Sequence, residues 1–160
     1  MSAPDVSPIG RALGRIPSGL FIVTTLDGRE PSGFLASLVM QTGFEPPTVA
    51  VAIGRSRPQL VHVRECGAFA LSILDPQSRG LMTPFVRKLD EHESPFDGLK
   101  LAKTPKGLNV LAESLAWIEC RVAGEHATGD HVVVFGEVVA AETLHDGEPC
   151  THVRKNGLRY

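Results

Sequence analysis

Short apolar runs, broken by glycine, proline and polar turn residues, dominate the hydrophobic pattern of this 160-residue chain. Runs of this length that are rich in β-branched and aromatic residues are typical of strands. The pair Asp27-Gly28 lies between two of them and predicts a tight hairpin turn. The predicted strands cover residues 20–26, 33–40, 48–53, 68–74, 114–122 and 131–144, the last two joined through residues 124–130.

Helical signals are fewer and shorter. Residues 58–66 predict a helix that turns Leu60 and Val63 inward and ends at Gly67. Two more short helices are predicted at residues 9–16 and 76–86, after a loose N-terminal arm at residues 1–8. Residues 87–98 are charged and predict a mobile loop over a site.

Six or more strands with few helices favour a mainly β fold, a closed or nearly closed antiparallel barrel. A Rossmann fold is disfavoured because strands follow strands and no Gly-x-Gly-x-x-Gly lies between a strand and a helix. The hydrophobic content of 42% supports one sizeable core. We therefore expect a single domain over residues 1–160.

The first candidate for chemistry is the turn that follows the strand at residues 48–53. Arg55 and Arg57 flank Ser56, which with Gln59 fits a capping box, and Pro58 falls in the first helical turn. Two guanidinium groups and a helix N-terminus at one point predict a site for a phosphate or pyrophosphate. The alternative is a capped surface helix with solvated arginines.

A second candidate is the small-residue stretch within residues 33–40. Ala36 and Ser37 leave room for a flat ring against the backbone, and Ser37, Gln41 and Thr42 offer hydrogen bonds. An ordinary strand that ends in a polar turn explains the same residues equally well.

His131 begins the last predicted strand, where its imidazole could meet an anionic or aromatic ligand or simply make a local hydrogen bond. Glu137 lies on the same face but roughly 20 Å away along a strand, too far for an acid–base pair. No histidine spacing suits a metal site, and Cys66, Cys120 and Cys150 suit small buried side chains better than a disulfide framework. Without a nucleophile, metal or dyad, a bound cofactor is expected to supply the reactivity.

The net charge of -2 gives no general attraction to nucleic acid or to an anionic membrane, so anion binding must be local. The N-terminus lacks the basic start and apolar run of a signal peptide, and no stretch is long and apolar enough for a membrane span. We expect a soluble, cytoplasmic protein that binds a small ligand.

Seven short motifs stand in the order found in one known family. They are Gly-Leu-Phe-Ile-Val-Thr-Thr (19–25), Gly-Phe-Leu-Ala-Ser (33–37), Phe-Glu-Pro-Pro (44–47), Arg-Ser-Arg (55–57), Gly-Ala-Phe-Ala-Leu-Ser-Ile-Leu (67–74), Glu-Cys-Arg-Val (119–122) and Gly-Asp-His with Phe-Gly-Glu-Val (129–138). Over nearly its whole length the chain resembles the flavin reductase-like family, the FMN-binding split barrels that serve two-component monooxygenases.

The resemblance implies a split β-barrel and assigns roles to particular residues. Gly129, Asp130 and His131 would receive a nicotinamide nucleotide, with His131 as the catalytic residue that orients it. The flavin, FMN or FAD, would contact Phe34, Leu35, Ala36, Ser37, Gln41, Thr42, Ile53, Arg55, Ser56, Arg57, Phe85 and Lys88. No metal is implied.

The expected function is an NAD(P)H-dependent flavin reductase that moves hydride from NADH or NADPH to FMN or FAD. By the same resemblance it would be a homodimer and would supply reduced flavin to a partner monooxygenase. The rival hypothesis is an FMN-binding electron-transfer protein without nicotinamide-dependent turnover. A third is a flavin-free barrel used for protein association.

Overall fold

The computed structural model of the protein describes residues 6–159, and its largest element is one seven-stranded antiparallel sheet. The strands in chain order are β1 (Phe21–Asp27), β2 (Glu30–Ala36), β3 (Val39–Phe44), β4 (Pro47–Gly54), β5 (Ala68–Ile73), β6 (Leu101–Lys103), β7 (Asn109–Leu111), β8 (Ala116–Thr128) and β9 (His131–Thr143). The main sheet has the order β2-β1-β5-β8-β9-β4-β3, and β6 pairs with β7 in a small second sheet. The predicted mainly β, antiparallel class is confirmed.

The sheet curls but does not close. Its two edge strands, β2 and β3, follow each other in the chain, so Ser37 and Leu38 cross from one edge to the other. The amide of Ala52 donates a hydrogen bond to the carbonyl of Leu38 at 2.9 Å, which carries the chain onto β4. Of the two predicted arrangements, a closed or a nearly closed barrel, the closed one is therefore excluded. The single strand predicted over residues 33–40 is wrong, because the chain changes partners in its middle.

The hairpin of β8 and β9 is the longest feature of the sheet, with 13 residues in each strand. The predicted strand at residues 114–122 ended too early, since β8 continues to Thr128 and Gly129 turns the chain with a φ of 52°. Residues 123–128 of β8 are exposed and carry little apolar signal. The short strands β6 and β7 were not predicted at all.

The core lies on both faces of β5, which is buried throughout except at its last residue. Phe69 and Leu71 pack into one apolar cluster with β4 and β9, whereas Ala68 and Ala70 pack into another with Val110 of β7. This alternation is what a strand inside a two-sided core requires. The three cysteines are free; Cys120 and Cys150 are buried, as predicted, whereas Cys66 is only half-buried.

The described residues include three short helices: α1 (Pro8–Leu13), α2 (Pro58–Cys66) and α3 (Thr83–Val86), the last preceded by a 3-10 turn at Arg79–Met82. Helix α2 buries Leu60 and Val63 and ends at Gly67 with a φ of 69°, as predicted. Helix α1 begins earlier than predicted because Ser7 is its N-cap. The hydroxyl oxygen of Ser7 accepts a hydrogen bond from the amide of Gly10 at 3.1 Å. Of the predicted N-terminal arm, residues 1–5 lie outside the described residues.

Within residues 6–159, no helix has the length and apolar character needed to cross a membrane.

Candidate functional site

The end of β4 and the start of β9 meet at a corner of the sheet. Gly54 is paired with His131 in the ladder, and the amide of Arg55 donates to the carbonyl of Asp130 at 2.9 Å. We call Gly54–Arg57 together with Asp130 and His131 the arginine corner. The residues predicted to hold phosphate and those predicted to receive a nicotinamide nucleotide are thus neighbours in space, although some 75 residues separate them in the chain.

Arg57 links the arginine corner to β2. Its guanidinium carbon lies 5.4 Å from the centroid of the Phe34 ring, within the range of a cation–π contact. Phe34 is buried in the main core, whereas Arg55, Ser56 and Arg57 are exposed. Two exposed guanidinium groups at one corner form a local cationic surface of the kind that binds phosphate.

The predicted capping box is wrong. Arg57, not Ser56, is the N-cap of α2, and no side chain caps the helix. Arg57 precedes Pro58, and a residue before proline is forced towards extended backbone, here with φ -78° and ψ 127°. The side chain of Gln59 does not return to the cap but reaches the carbonyl of Gly33 at 3.5 Å, the limit of hydrogen-bond distance.

Gly54 leaves a gap at the centre of the arginine corner. A Cβ added there would lie 3.8 Å from Cγ of Arg57 and 4.0 Å from Nε2 of His131. Its φ lies outside the left-handed region, so the backbone does not require glycine. The missing methyl therefore leaves space between two predicted site residues, a signal that sequence reasoning did not use although glycine directly precedes the first arginine.

The side chains of Asp130 and His131 are hydrogen-bonded to each other. Oδ1 of Asp130 lies 2.8 Å from Nδ1 of His131, and the hydrogen bond from this imidazole, with the charges of His131 and Arg55, lowers the pKa of Asp130 below its usual value. The Asp130 side chain is 94% exposed and that of His131 only 22%. His131 is therefore held against the sheet while Asp130 faces solvent.

Ser37 lies at the crossing between β2 and β3 with its side chain buried. Its Oγ makes no hydrogen bond within the described part of the chain. A buried polar atom without a partner costs about 1–3 kcal/mol, so the hydroxyl of Ser37 is suited to accept or donate a hydrogen bond to a ligand. Ala36 beside it packs into the main core, and Leu35 is half-buried against a second cluster.

Gln41 and Thr42 are exposed on β3. Gln41 donates to the carbonyl of Gly43 at 3.1 Å, and the hydroxyl of Thr42 donates to that of Thr48 at 3.1 Å. Gln41 also lines an apolar cavity of about 410 Å³, which is bordered by residues of β1, β3, β4, β5, β8 and β9. The other lining residues are Phe21, Val39, Met40, Pro47, Thr48, Val49, Leu71, Ile118 and Val138.

Phe85 and Lys88 lie on and just after α3, beside β2. Phe85 on α3 packs edge-to-face on Phe96 at 5.3 Å, and both rings approach Gly33, where a Cβ would lie 3.2 Å and 2.8 Å from them. Lys88 is exposed on the loop at residues 87–98, which Phe96 anchors by its burial. Ile53 is 1% exposed, so it belongs to the core beneath the corner.

No metal-binding geometry accompanies these residues. Among residues 6–159, no three His, Cys, Asp or Glu side chains are grouped so that they could hold an ion.

Comparison with known proteins decides the family. The model of the family described as flavin reductase like domain matches residues 13–157. The chain belongs to the flavin reductase-like family. It is 32% identical over 152 residues to the actinorhodin polyketide dimerase of Streptomyces coelicolor, covering 94% of this chain and 84% of that protein.

Other relatives are longer. The chain is 37% identical to the putative diflavin flavoprotein A 3 of Synechocystis over 94% of its own length, but it spans only 25% of that protein.

Solved structures share the fold. Component B of the nitrilotriacetate monooxygenase from Mycobacterium thermoresistibile has a TM-score of 0.83 at 26% identity, over 91% of this chain and 80% of that one. The NADH:FAD oxidoreductase SgcE6 of Streptomyces globisporus, in complex with NAD and FAD fragments, has a TM-score of 0.81 at 25% identity, over 98% and 94% of the two chains. The predicted family is confirmed, and with it the enzyme class, an oxidoreductase of the flavin reductase type.

Proposed function

We propose that the protein is an NAD(P)H-dependent flavin reductase whose arginine corner holds the phosphate of FMN or FAD. The observation that carries the proposal is the meeting of Arg57 and His131 around the gap at Gly54, next to Arg55, whose amide donates to the carbonyl of Asp130. Two guanidinium groups would bind a phosphate through charge-assisted hydrogen bonds. His131, held beside them, would orient the nicotinamide nucleotide.

The residues present fit a flavin in two further respects. The unpartnered hydroxyl of Ser37 is available to a ligand that reaches the crossing between β2 and β3. The gap at Gly54 lets a ligand approach the backbone between Arg57 and His131. When bound, the flavin would supply the electron acceptor for hydride, so the chain needs only to position two ligands and needs no general base.

Names of structural neighbours support the choice of ligands and of a partner. The SgcE6 structure contains NAD and FAD fragments, and another neighbour is a component of a monooxygenase. We extend these properties to this chain as proposals: flavin and nicotinamide nucleotide as ligands, and a flavin-dependent monooxygenase as a recipient of reduced flavin. The homodimer stays a prediction; Met40, Phe44 and Val139 are exposed apolar side chains.

The test combines flavin titration with turnover. Purified protein is titrated with FMN and with FAD, and nicotinamide absorbance is followed after addition of NADH or NADPH. We expect saturable flavin binding and steady oxidation of the nucleotide. A yellow protein whose flavin is reduced only by another protein would support the electron-transfer hypothesis. A colourless protein that does not bind added flavin would support the flavin-free barrel used for protein association.

Gly54→Ala tests the location of the site. The added methyl would make only ordinary contacts with Arg57 and His131, so the fold should be unchanged, but it would fill the gap. We expect flavin affinity to fall about ten-fold or more, equivalent to about 1.4 kcal/mol. Gly124→Ala is the matched control, because a Cβ at Gly124 on β8 meets no atom within 4 Å and its φ is also outside the left-handed region. Equal affinity in both variants would contradict a phosphate seat at Gly54.

A further inference from the structure

Helix α1 and the last residues of the chain pack against each other backbone to backbone. The amide of Gly157 donates to the carbonyl of Gly10 at 2.7 Å, and Ser18 and His152 exchange two backbone hydrogen bonds at 2.9 Å and 2.7 Å. A Cβ added to Gly157 would lie 2.7 Å from the amide nitrogen of Gly14, so glycine permits this close approach. Residues 8–16 and 152–159 therefore lie side by side, and we call their exposed side chains the terminal surface.

The terminal surface exposes large apolar side chains. Within α1 the fold buries Gly10 alone, so the apolar side chains of this helix contribute little to the core. The large apolar residues of the terminal surface are 38–67% exposed, and they are Ile9, Leu13, Ile16, Val153 and Leu158. Exposed apolar side chains that are gathered in one place mark an interaction site, whereas single ones need no explanation.

The same two segments carry cations and no carboxylates. Residues 6–18 and 150–159 contain Arg11, Arg15, Arg154, Lys155 and Arg159 but no Asp or Glu. The rest of the chain has the other 11 of the 16 Lys and Arg residues and all 18 Asp and Glu residues, a formal charge of -7. Arg15, Lys155 and Arg159 are exposed, and the salt bridges found among residues 6–159 do not include them.

This combination of charge and apolar area fits a protein partner better than other partners. Nucleic acid fits poorly because residues 6–18 and 150–159 contain no Phe, Trp or Tyr on which bases could stack. An anionic membrane fits poorly because α1 has only six residues and the rest of the chain would be repelled. A second copy docked about a two-fold axis would bring the same cations face to face. Protein interfaces combine an apolar centre with arginine, and charge complementarity then requires carboxylates on the partner.

We infer that the terminal surface is a docking site for a partner protein that presents carboxylates interspersed with apolar side chains. The carboxylates would pair with Arg15, Lys155 and Arg159, and the apolar side chains would cover Ile16 and Leu158. The inference does not rest on the proposed function, because the terminal surface shares no residue with the arginine corner.

The experiment uses a peptide with the chemistry of such a partner. A fluorescein-labelled peptide that repeats Glu-Leu-Glu-Ser is titrated with the full chain, and binding is followed by fluorescence anisotropy. We expect saturable binding that weakens as salt is added, because exposed charges are screened. A peptide with Lys in place of Glu should not bind, and one with Ser in place of Leu should bind more weakly.

Substitutions locate the bound peptide. Arg15→Glu combined with Lys155→Glu should weaken binding about ten-fold or more, since like charges would then face each other. Lys106→Glu is the matched control, because it reverses an exposed charge on the turn between β6 and β7 and should leave the affinity unchanged. Ile16→Ser combined with Leu158→Ser should weaken binding of the Leu-containing peptide but not of its Ser counterpart. All these side chains are exposed, so thermal unfolding should stay as in the wild type.

Other results would overturn the inference. No peptide binding, or binding that Arg55→Glu abolishes and the paired Arg15 and Lys155 variant does not, would place no such site on the terminal surface. Charge-dependent binding to phosphatidylcholine vesicles that contain phosphatidylserine, without peptide binding, would indicate a membrane instead. Self-association in sedimentation velocity that the paired variant abolishes would indicate a second copy. A protein that binds the peptide but does not oxidise NADH or NADPH would refute the proposed function and leave this inference standing.

Discussion

Asp75, just after β5, should make the stability of the protein depend on pH in the acidic range. Its side chain is buried, with the residue 2% exposed, and its carboxylate accepts hydrogen bonds from the amide of Ser78 at 2.8 Å and from Nε2 of His145 at 2.7 Å. The hydroxyl of Ser78 donates as well. These bonds, those of Ser78 first and that of His145 second, lower the pKa of Asp75 from 3.8 to about 2.

The sign and size of the effect follow from this pKa. Because the unfolded chain takes up the proton first as the pH falls, the stabilisation is complete above about pH 4 and is lost as the pH falls through about 2. The difference between 3.8 and about 2, at about 1.4 kcal/mol per pH unit, corresponds to about 2 kcal/mol. Asp75→Asn cannot titrate and should lack this part of the pH dependence.

Urea unfolding measures the effect. The single tryptophan, Trp117, is 8% exposed and reports unfolding by fluorescence. The free energy of unfolding of the wild type minus that of Asp75→Asn should shrink by about 2 kcal/mol between pH 5 and pH 2. Ser78→Ala should reduce this change more than His145→Ala does. A difference between wild type and Asp75→Asn that stays constant over that range would refute the reasoning.

Two further substitutions test the site and the core. Replacing Arg55 and Arg57 together by alanine should weaken flavin binding by about 100-fold or more, because each guanidinium would contribute one charge-assisted hydrogen bond of about 1.5–3 kcal/mol. Unchanged affinity in a flavin titration would refute the assignment of the phosphate site. Gly136→Ala should destabilise the fold by about 1–3 kcal/mol in urea unfolding, because a Cβ there would lie 2.6 Å from both the Phe69 ring and Cβ of Cys120. Gly124→Ala, which meets no atom, is its control.

Local signals predicted the elements whose residues interact with near neighbours in the chain. The turn at Asp27-Gly28 does join β1 and β2, and Gly67 does end α2. The capping box failed because a second local rule, the restriction of the residue before Pro58, moved the cap to Arg57. Two local preferences competed there, and only the backbone angles decide between them.

Long-range pairing explains what the sequence could not predict. The outer half of β8 has exposed residues, so its strand character comes from hydrogen bonds to β9 and not from an apolar pattern. The pattern of residues 33–40 predicts one strand because nothing in it marks the break at Ser37 and Leu38, where β2 ends and β3 has not yet begun. The gap at Gly54 was equally hidden, since it exists only where His131 and Arg57 come together.

The core itself sets the geometry of the arginine corner. Ile53 and Val51 of β4 are paired with Val132 and Val134 of β9, and all four are buried in the main core. Because a slip of one residue would turn those side chains outward, apolar burial fixes the register of the two strands. The same register places His131 opposite Gly54, on the face turned away from that core. A substitution that loosens this pairing should therefore separate His131 from the arginines even if it touches neither.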